Sequence, residues 1–269
     1  MAKFSFSENV ILITGASAGI GRSLALQLAG HGAWLSLAAR DQNRLEQLAQ
    51  ECRERGARAL VVPTDVSEEL QCKNFIEQTI AEYGRIDTLI NNAGVSMFSR
   101  FDQIKDISYI RQIMNVNYMG SVCTTYYALP YLKASQGRLV GISSLTGKNG
   151  VPTRSAYAAS KHAMAGFFDS IRIELADDGV SVTIIYPGFV ATEVRQRAIQ
   201  GDGSPLKESY IDETRVMSAD ACARIIITAA GKRKREVVMT TRAKIGLWLK
   251  LFSPGLVDKI AKKTVLSGK

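Results

Sequence analysis

The chain has 269 residues, 46% hydrophobic and 22% charged, with a formal net charge of +9, two histidines and four cysteines. A chain of this length buries about three quarters of its unfolded surface, no linker or repeat argues for a second core, and no run approaches the ~18 apolar residues that span a bilayer. Cys52, Cys72, Cys123 and Cys222 lack metal-ligand and redox spacing, which argues against a disulfide scaffold and suits reduced thiols in the cytoplasm.

In chain order, short apolar runs suited to buried strands occur at Val10 to Thr14, Ala33 to Ala39, Ala59 to Val62, Ile86 to Asn91, Arg138 to Ser143, Val180 to Tyr186 and Glu236 to Thr240. Helical periodicity fills Ile20 to Ala29, Gln42 to Arg55, Ser67 to Tyr83, Ile107 to Leu132, Ala156 to Ala176 and Ala219 to Ala230. Strands alternating with helices predict parallel pairing and right-handed crossovers. The expected fold is α/β: a doubly wound, Rossmann-like three-layer sandwich on a seven-stranded parallel sheet, with ligands at the carboxyl edge. Residues 1–240 would form this single domain and residues 241–269 a basic amphipathic C-terminal extension.

Gly15, Gly19 and Gly21 follow the first strand and open the first helix, the setting in which a backbone without Cβ atoms approaches a pyrophosphate at a helix N-terminus. Their spacing departs from G-x-G-x-x-G, so a plain glycine turn is the competing reading; a P-loop is disfavoured because no Gly-Lys-Ser/Thr follows. About 20 residues beyond the first glycine, where an acidic side chain would bind a ribose 2′-hydroxyl, the chain reads Ala39-Arg40-Asp41. Ala39 cannot accept that bond and Arg40 can fork onto a 2′-phosphate, so NADP(H) is expected over NAD(H). Asp41 complicates this unless it serves as the N-cap of the next helix.

Ser144, Tyr157 and Lys161 put a hydroxyl, a phenol and an ammonium where one carbonyl can meet all three. Tyr157 and Lys161 are i and i+4 and share a helix face. An ammonium ~4 Å from a phenolate contributes ~4 kcal/mol at an effective dielectric of ~20. That would carry the phenol from ~10 to roughly 7 before desolvation opposes it, where it exchanges protons near neutrality. His31 and His162 supply neither a Ser-His-Asp system nor a metal site.

These motifs together resemble the short-chain dehydrogenase/reductase family between about Asn9 and Thr240. The resemblance rests on Thr14-Gly15-Ala16-Ser17-Ala18-Gly19-Ile20-Gly21, Asp65-Val66, Asn91-Asn92-Ala93-Gly94, Asn117-Tyr118-Met119-Gly120, Ser144, Tyr157-Ala158-Ala159-Ser160-Lys161 and Pro187-Gly188, in that order. It implies that Tyr157 protonates the carbonyl oxygen, Ser144 (rather than Ser143) orients it, Lys161 lowers the tyrosine's pKa and binds the nicotinamide ribose, and Asn117 holds a relay water. For the cofactor it implies Ser17 and Ile20 in the glycine stretch, Asp65 and Val66 at the adenine, Asn92 and Ala93 beside the adenosine ribose, and Val190 and Thr192 at the nicotinamide and phosphates. Family members commonly form homodimers or homotetramers.

The substrate, a carbonyl compound or secondary alcohol, is expected between Met97 to Phe101, Leu145 to Pro152 and Phe189 to Met217, where Met97, Phe98, Leu145, Val151 and Phe189 offer apolar surface and Arg195 or Arg197 an acidic-group partner. Residues 231–269 carry eleven Lys or Arg against Glu236 and Asp258, so the whole surplus of charge sits in this end. Ile245, Trp248, Leu249 and Phe252 recur at helical spacing among lysines, with a break at Ser253-Pro254-Gly255. Such a face suits a peripheral membrane contact or docking onto protein; nucleic-acid binding is not expected, since no nucleic-acid fold accompanies the charge. The expectation is an NADP(H)-dependent oxidoreductase. A catalytically silent NADP-binding regulatory or scaffold protein is the alternative, opposed by the intact Asn117, Ser144, Tyr157 and Lys161.

Overall fold

The computed structural model describes residues 5–207 and 216–266. From the N-terminus the elements are β1 (Val10–Thr14), α1 (Gly19–Ala29), β2 (Trp34–Ala39), α2 (Gln42–Glu54), β3 (Arg58–Pro63), α3 (Glu69–Tyr83) and β4 (Thr88–Asn91). There follow α4 (Ser108–Met114), α5 (Gly120–Ala134), β5 (Arg138–Ile142), α6 (Ser155–Glu174), β6 (Ser181–Tyr186) and β7 (Val190–Ala191). The chain continues with β8 (Met217–Ser218), α7 (Ala219–Gly231), β9 (Glu236–Val238), α8 (Thr241–Phe252) and α9 (Pro254–Leu266).

Seven strands pair in the order β3-β2-β1-β4-β5-β6-β9, every pair parallel. The order reverses at β1 and β4, and such a switch point opens a crevice at the carboxyl edge. Successive residues of β1 serve opposite cores, as the period of two requires. Ile11 and Ile13 pack with Leu24, Leu28, Leu45 and Ile226 from α1, α2 and α7; Val10 and Leu12 join Phe75, Leu132 and Phe168 from α3, α5 and α6. A Cβ at Gly141 would lie 2.3 Å from Phe168 Cε2, so the β5 glycine admits that ring.

Three departures from the sequence expectation bear on the site. The continuous helix expected over Ile107 to Leu132 is broken by a π-helical turn at Asn115–Met119 between α4 and α5. A small parallel pair, β7 with β8, has no periodicity long enough to read. The expected strand Glu236 to Thr240 ends at Val238 because Thr240 caps α8, its hydroxyl accepting from the Ala243 N–H at 3.2 Å.

At the amino edge of the sheet Arg233, in the left-handed region at φ 47°, donates to the carbonyls of Gln136 (2.7 Å), Gly137 (3.2 Å) and Gly179 (3.1 Å). One side chain thus joins the turns that lead into β5 and β6. The four cysteines are free. Among the described residues no helix is long and apolar enough to cross a membrane.

Candidate active site

The carboxyl ends of β1 and β4 are fastened first. The Thr14 hydroxyl accepts from the N–H groups of Asn92 and Ala93, both at 3.0 Å, and the Asn92 amide donates to the carbonyls of Thr14 (2.9 Å) and Gly15 (3.2 Å). Asn92 therefore shapes the glycine loop from behind. Gly15 and Gly19 have φ of +65° and +53°, where a Cβ is strained. A Cβ on Gly15 would lie 2.8 Å from Ala93 Cα, and one on Gly21 would lie 2.2 Å from the Gly15 carbonyl oxygen. The glycines thus create a backbone cradle at the N-terminus of α1, with Ser17 and Ile20 half-buried on its rim; its form fits a pyrophosphate.

Around this cradle, Val66 packs against Gly120, where an added Cβ would sit 2.8 Å from Val66 Cγ2. The Asp65 carboxylate accepts from the Ser67 N–H (3.0 Å) and hydroxyl (2.7 Å), which fixes its rotamer. Arg40, mostly exposed, has Nη1 4.0 Å from Asp65 Oδ2. Asp41 caps α2, accepting from the Arg44 N–H at 3.1 Å, and so is turned to its helix. Val190 is buried, and the methyl of Thr192 lies over Gly19, 3.0 Å from the point where a Cβ would stand.

Asn117, fully buried, lies in the π-helical turn. Its Oδ1 accepts from the Val95 N–H at 2.8 Å, and its Nδ2 donates to the Val95 carbonyl and to Ser160 Oγ, both at 2.9 Å. The wide turn aims this side chain at the β4 loop while α4 and α5 keep their own packing. On α6, Lys161 is 3% exposed; its Nζ donates to the Ile142 carbonyl at 2.9 Å and stands 5.9 Å from the centre of the Tyr157 ring. A Cβ on Gly94 would be 3.2 Å from Asn117 Oδ1 and 3.5 Å from Lys161 Nζ, so this glycine keeps a gap open between the amide and the ammonium.

Ser143 and Ser144 separate cleanly. Ser143 is buried and donates to the Lys161 carbonyl at 3.1 Å, a structural tie. Ser144 is half-buried and accepts from the Thr146 N–H at 3.2 Å, and its hydroxyl favours the ionised form of the Tyr157 phenol. His162 bonds the Ala158 carbonyl at 2.8 Å, away from the reactive groups.

The electrostatics correct one expectation. Burial pushes the Tyr157 phenol above its ordinary 10.0; the Arg154 charge and the Ser144 hydrogen bond pull it back. Lys161 is itself desolvated, its own pKa lowered to about 8, with the Ile142 carbonyl and the Met164 thioether beside its ammonium. Arg154 escaped the sequence reading. It lies three residues before Tyr157, donates to Ser96 Oγ at 2.8 Å and stands 5.4 Å from the Phe98 ring centre. The i, i+3 spacing to Tyr157 is the signal that could have found it. Ser160, inside the quoted Tyr-Ala-Ala-Ser-Lys stretch, is the other missed contributor.

Two of the three expected substrate segments meet directly, and the first also reaches Thr153, one residue past the segment from Leu145 to Pro152. Met97 bridges to Ile199, Phe98 N–H donates to the Ile199 carbonyl at 2.9 Å, and Ser99 N–H donates to the Thr153 carbonyl at 2.9 Å. Phe189 remains 46% exposed beside this junction, and Arg195, buried, has its guanidinium 5.9 Å from the Phe189 ring centre. Arg197 is engaged by Glu193. Residues 208–215 of the expected pocket wall lie outside the described residues.

A doubly wound parallel sheet with a glycine cradle at its switch point defines a Rossmann-type, dinucleotide-binding architecture. The sequence pattern described as short chain dehydrogenase matches residues 9–202. The chain belongs to that family, whose members are oxidoreductases. It is 39% identical to 11-beta-hydroxysteroid dehydrogenase 1A of Arabidopsis thaliana, the match covering 94% of this chain and 75% of the relative. It is 35% identical to 11-beta-hydroxysteroid dehydrogenase A of Sesamum indicum, covering 97% and 78%. Among solved structures, a short chain dehydrogenase/reductase from Burkholderia phymatum in complex with NAD superposes with a TM-score of 0.83 at 23% identity, over 94% of this chain and 96% of that one. An alcohol dehydrogenase from the archaeon Thermococcus sibiricus, complexed with 5-hydroxy-NADP, gives 0.74 at 26% identity, over 87% and 96%. The former shows the same fold.

Proposed function

We propose that the chain is an NADP(H)-dependent oxidoreductase that moves a hydride between nicotinamide and the carbonyl or secondary carbinol carbon of a hydrophobic substrate. The observation that carries this is the convergence of Asn117, Ser144, Tyr157 and Lys161 beside the glycine cradle, at the carboxyl edge of the sheet. The residues present fit the cofactor: Gly15, Ser17, Gly19, Ile20 and Gly21 would hold the pyrophosphate, Asp65, Val66, Asn92 and Ala93 the adenosine side, and Val190, Thr192, Tyr157 and Lys161 the nicotinamide side. When bound, the cofactor supplies or accepts the hydride. Arg40 would take the 2′-phosphate; the turning of Asp41 to its own helix supports NADP(H) over NAD(H), because it withdraws the carboxylate that a ribose 2′-hydroxyl would use.

Tyr157 holds the proton that moves to or from the substrate oxygen, and Ser144, whose hydroxyl also acts on the phenol, orients that oxygen. Lys161 places a cation at the ribose side, and Asn117, beside the space that Gly94 leaves open, would hold a relay water. The names of the plant relatives support a rigid, apolar secondary alcohol or ketone as substrate. Met119 at the end of the π-helical turn, Tyr126 on α5 and Ile173 on α6 leave apolar surface exposed, which supports assembly into a homodimer or homotetramer.

An NADPH-consumption screen over steroid and other hydrophobic ketones, repeated with NADH, tests the reading. Tyr157→Phe is expected to lose at least ~100-fold in turnover while NADPH still quenches protein fluorescence as in the parent. Equal turnover by the variant, or a preference for NADH, overturns the corresponding part. Cofactor binding with no turnover of any carbonyl by the parent would return the chain to the scaffold reading.

A further inference from the structure

The C-terminal helices are unlike the rest of the surface. No residue of α8 is buried, and Ile245 (63%), Trp248 (68%), Leu251 (75%), Phe252 (70%) and Leu256 (46%) stand in solvent together. Trp248 and Phe252 lie on each other with ring centres 4.9 Å apart, so they form one patch. Side chains around it are basic: Arg242, Lys244, Lys250, Lys259, Lys262 and Lys263 face one acidic residue, Asp258, over residues 241–266. Lys244 is one turn from Trp248 and Lys259 one turn from Leu256, spacings at which aliphatic stems can lie along the patch margin with the ammonium groups outside it.

We propose that α8 and α9 dock this face onto an anionic lipid surface. Two features must be met by one partner, an apolar patch rich in aromatics and a strong positive charge around it. The headgroup and acyl boundary of an anionic bilayer supplies both complements. A second copy of the chain would not, since a twofold contact sets the same patch against itself and brings the two basic rims together. Nucleic acid would answer the charge and leave Trp248, Leu251 and Phe252 without an apolar partner. Both helices are too short to span a bilayer, so the contact is interfacial.

The docking helix is tied to the active-site side of the molecule. Lys250 Nζ donates to the Lys148 carbonyl at 2.7 Å, and Lys148 Nζ pairs with Glu236 at 2.9 Å. Lys148 follows the turn Leu145–Gly147 that begins directly after Ser144. An apolar substrate dissolved in the bilayer would therefore arrive beside the loop that borders its reactive groups. This last step rests on the oxidoreductase reading; the docking itself does not.

The test is flotation of the full-length chain with vesicles of mixed phosphatidylserine and phosphatidylcholine, and with phosphatidylcholine alone. Two variants accompany it: Trp248→Ser with Phe252→Ser, and Lys244→Glu with Lys259→Glu, all exposed positions, with thermal melts verifying an intact fold. The parent is expected to float with the mixed vesicles only, and each double variant to lose about tenfold or more in partitioning. Failure of the parent to float, or flotation unaffected by loss of the two aromatics, overturns the proposal. So does a fall in solution mass in the aromatic variant, which would assign the patch to a second copy, or tight salt-dependent binding of duplex DNA without flotation. NADPH turnover of a water-soluble ketone without vesicles should be the same in parent and variants. Its absence in the parent defeats the oxidoreductase reading and leaves the flotation result standing.

Discussion

Lys161 carries a charge that burial makes costly. Its fall from 10.5 to about 8 corresponds to about 3 kcal/mol against the charged form. The folded value lies below the unfolded one, so between about 8 and 10.5 the native chain binds fewer protons than the unfolded chain and stability rises with pH; below about 8 the penalty is present in full. Lys161→Met should therefore melt no lower than the parent at pH 7 without cofactor, lack the alkaline rise, and lose turnover. A clearly lowered melting temperature would show that the ammonium stabilises the fold. Arg154 acts on Tyr157 in the opposite sense, as the charge that draws the buried phenol down. In alcohol oxidation, where Tyr157 must lose its proton, Arg154→Met should move the rising limb of the pH-rate profile to higher pH, and Arg154→Lys should restore it. An unmoved limb would reduce Arg154 to a tether for Ser96. Chain order made Ser144, Tyr157 and Lys161 legible as a group, but the balance between burial and charge depends on surroundings contributed by distant segments. This is why the direction of the phenol's shift could not be read from the i, i+4 spacing.

At the level of elements, the glycine loop and the π-helical turn solve related problems by different means. Gly21 has no room for a methyl against the Gly15 carbonyl, a backbone atom that cannot swing aside. Gly21→Ala should lower stability by about 1–3 kcal/mol and weaken NADPH binding, measured by denaturant melts and fluorescence titration. Normal affinity in a normally stable variant would mean that the loop relaxes easily. The strands at β1, β4 and β6 could be read from short apolar runs because both faces of a parallel sheet are covered. The break at Asn115–Met119 could not: Ile110, Ile113 and Met114 carry the helical pattern up to its first residue, and a π turn changes hydrogen bonding without a signal in composition. Likewise β7 and β8 are two residues each, too short for a period of two to mark them in the sequence.

For the whole molecule, sequence alternation led to the right architecture because parallel crossovers admit few topologies, and the reversal of strand order placed the crevice where the motifs converge. Charge follows a different plan. The body is balanced and the surplus of +9 lies in residues 231–269, part of it on the helices that carry the exposed Trp248 and Phe252. Linear composition revealed that surplus, but only the packing showed which side chains of α8 and α9 remain outward.

The Arg233 guanidinium carries a consequence for how variation can accumulate in this chain. It rivets three carbonyls on the floor of the sheet, the end opposite the reactive groups. Arg233→Ala should lower the melting temperature, since a guanidinium hydrogen bond contributes about 1.5–3 kcal/mol, and leave the Michaelis constant for a soluble ketone as it was; a changed constant would mean that disturbance travels the full length of the strands. Holding and reacting are thus assigned to opposite rims, so the loops of the upper rim are free to diverge toward new substrates while the lower rim preserves the scaffold.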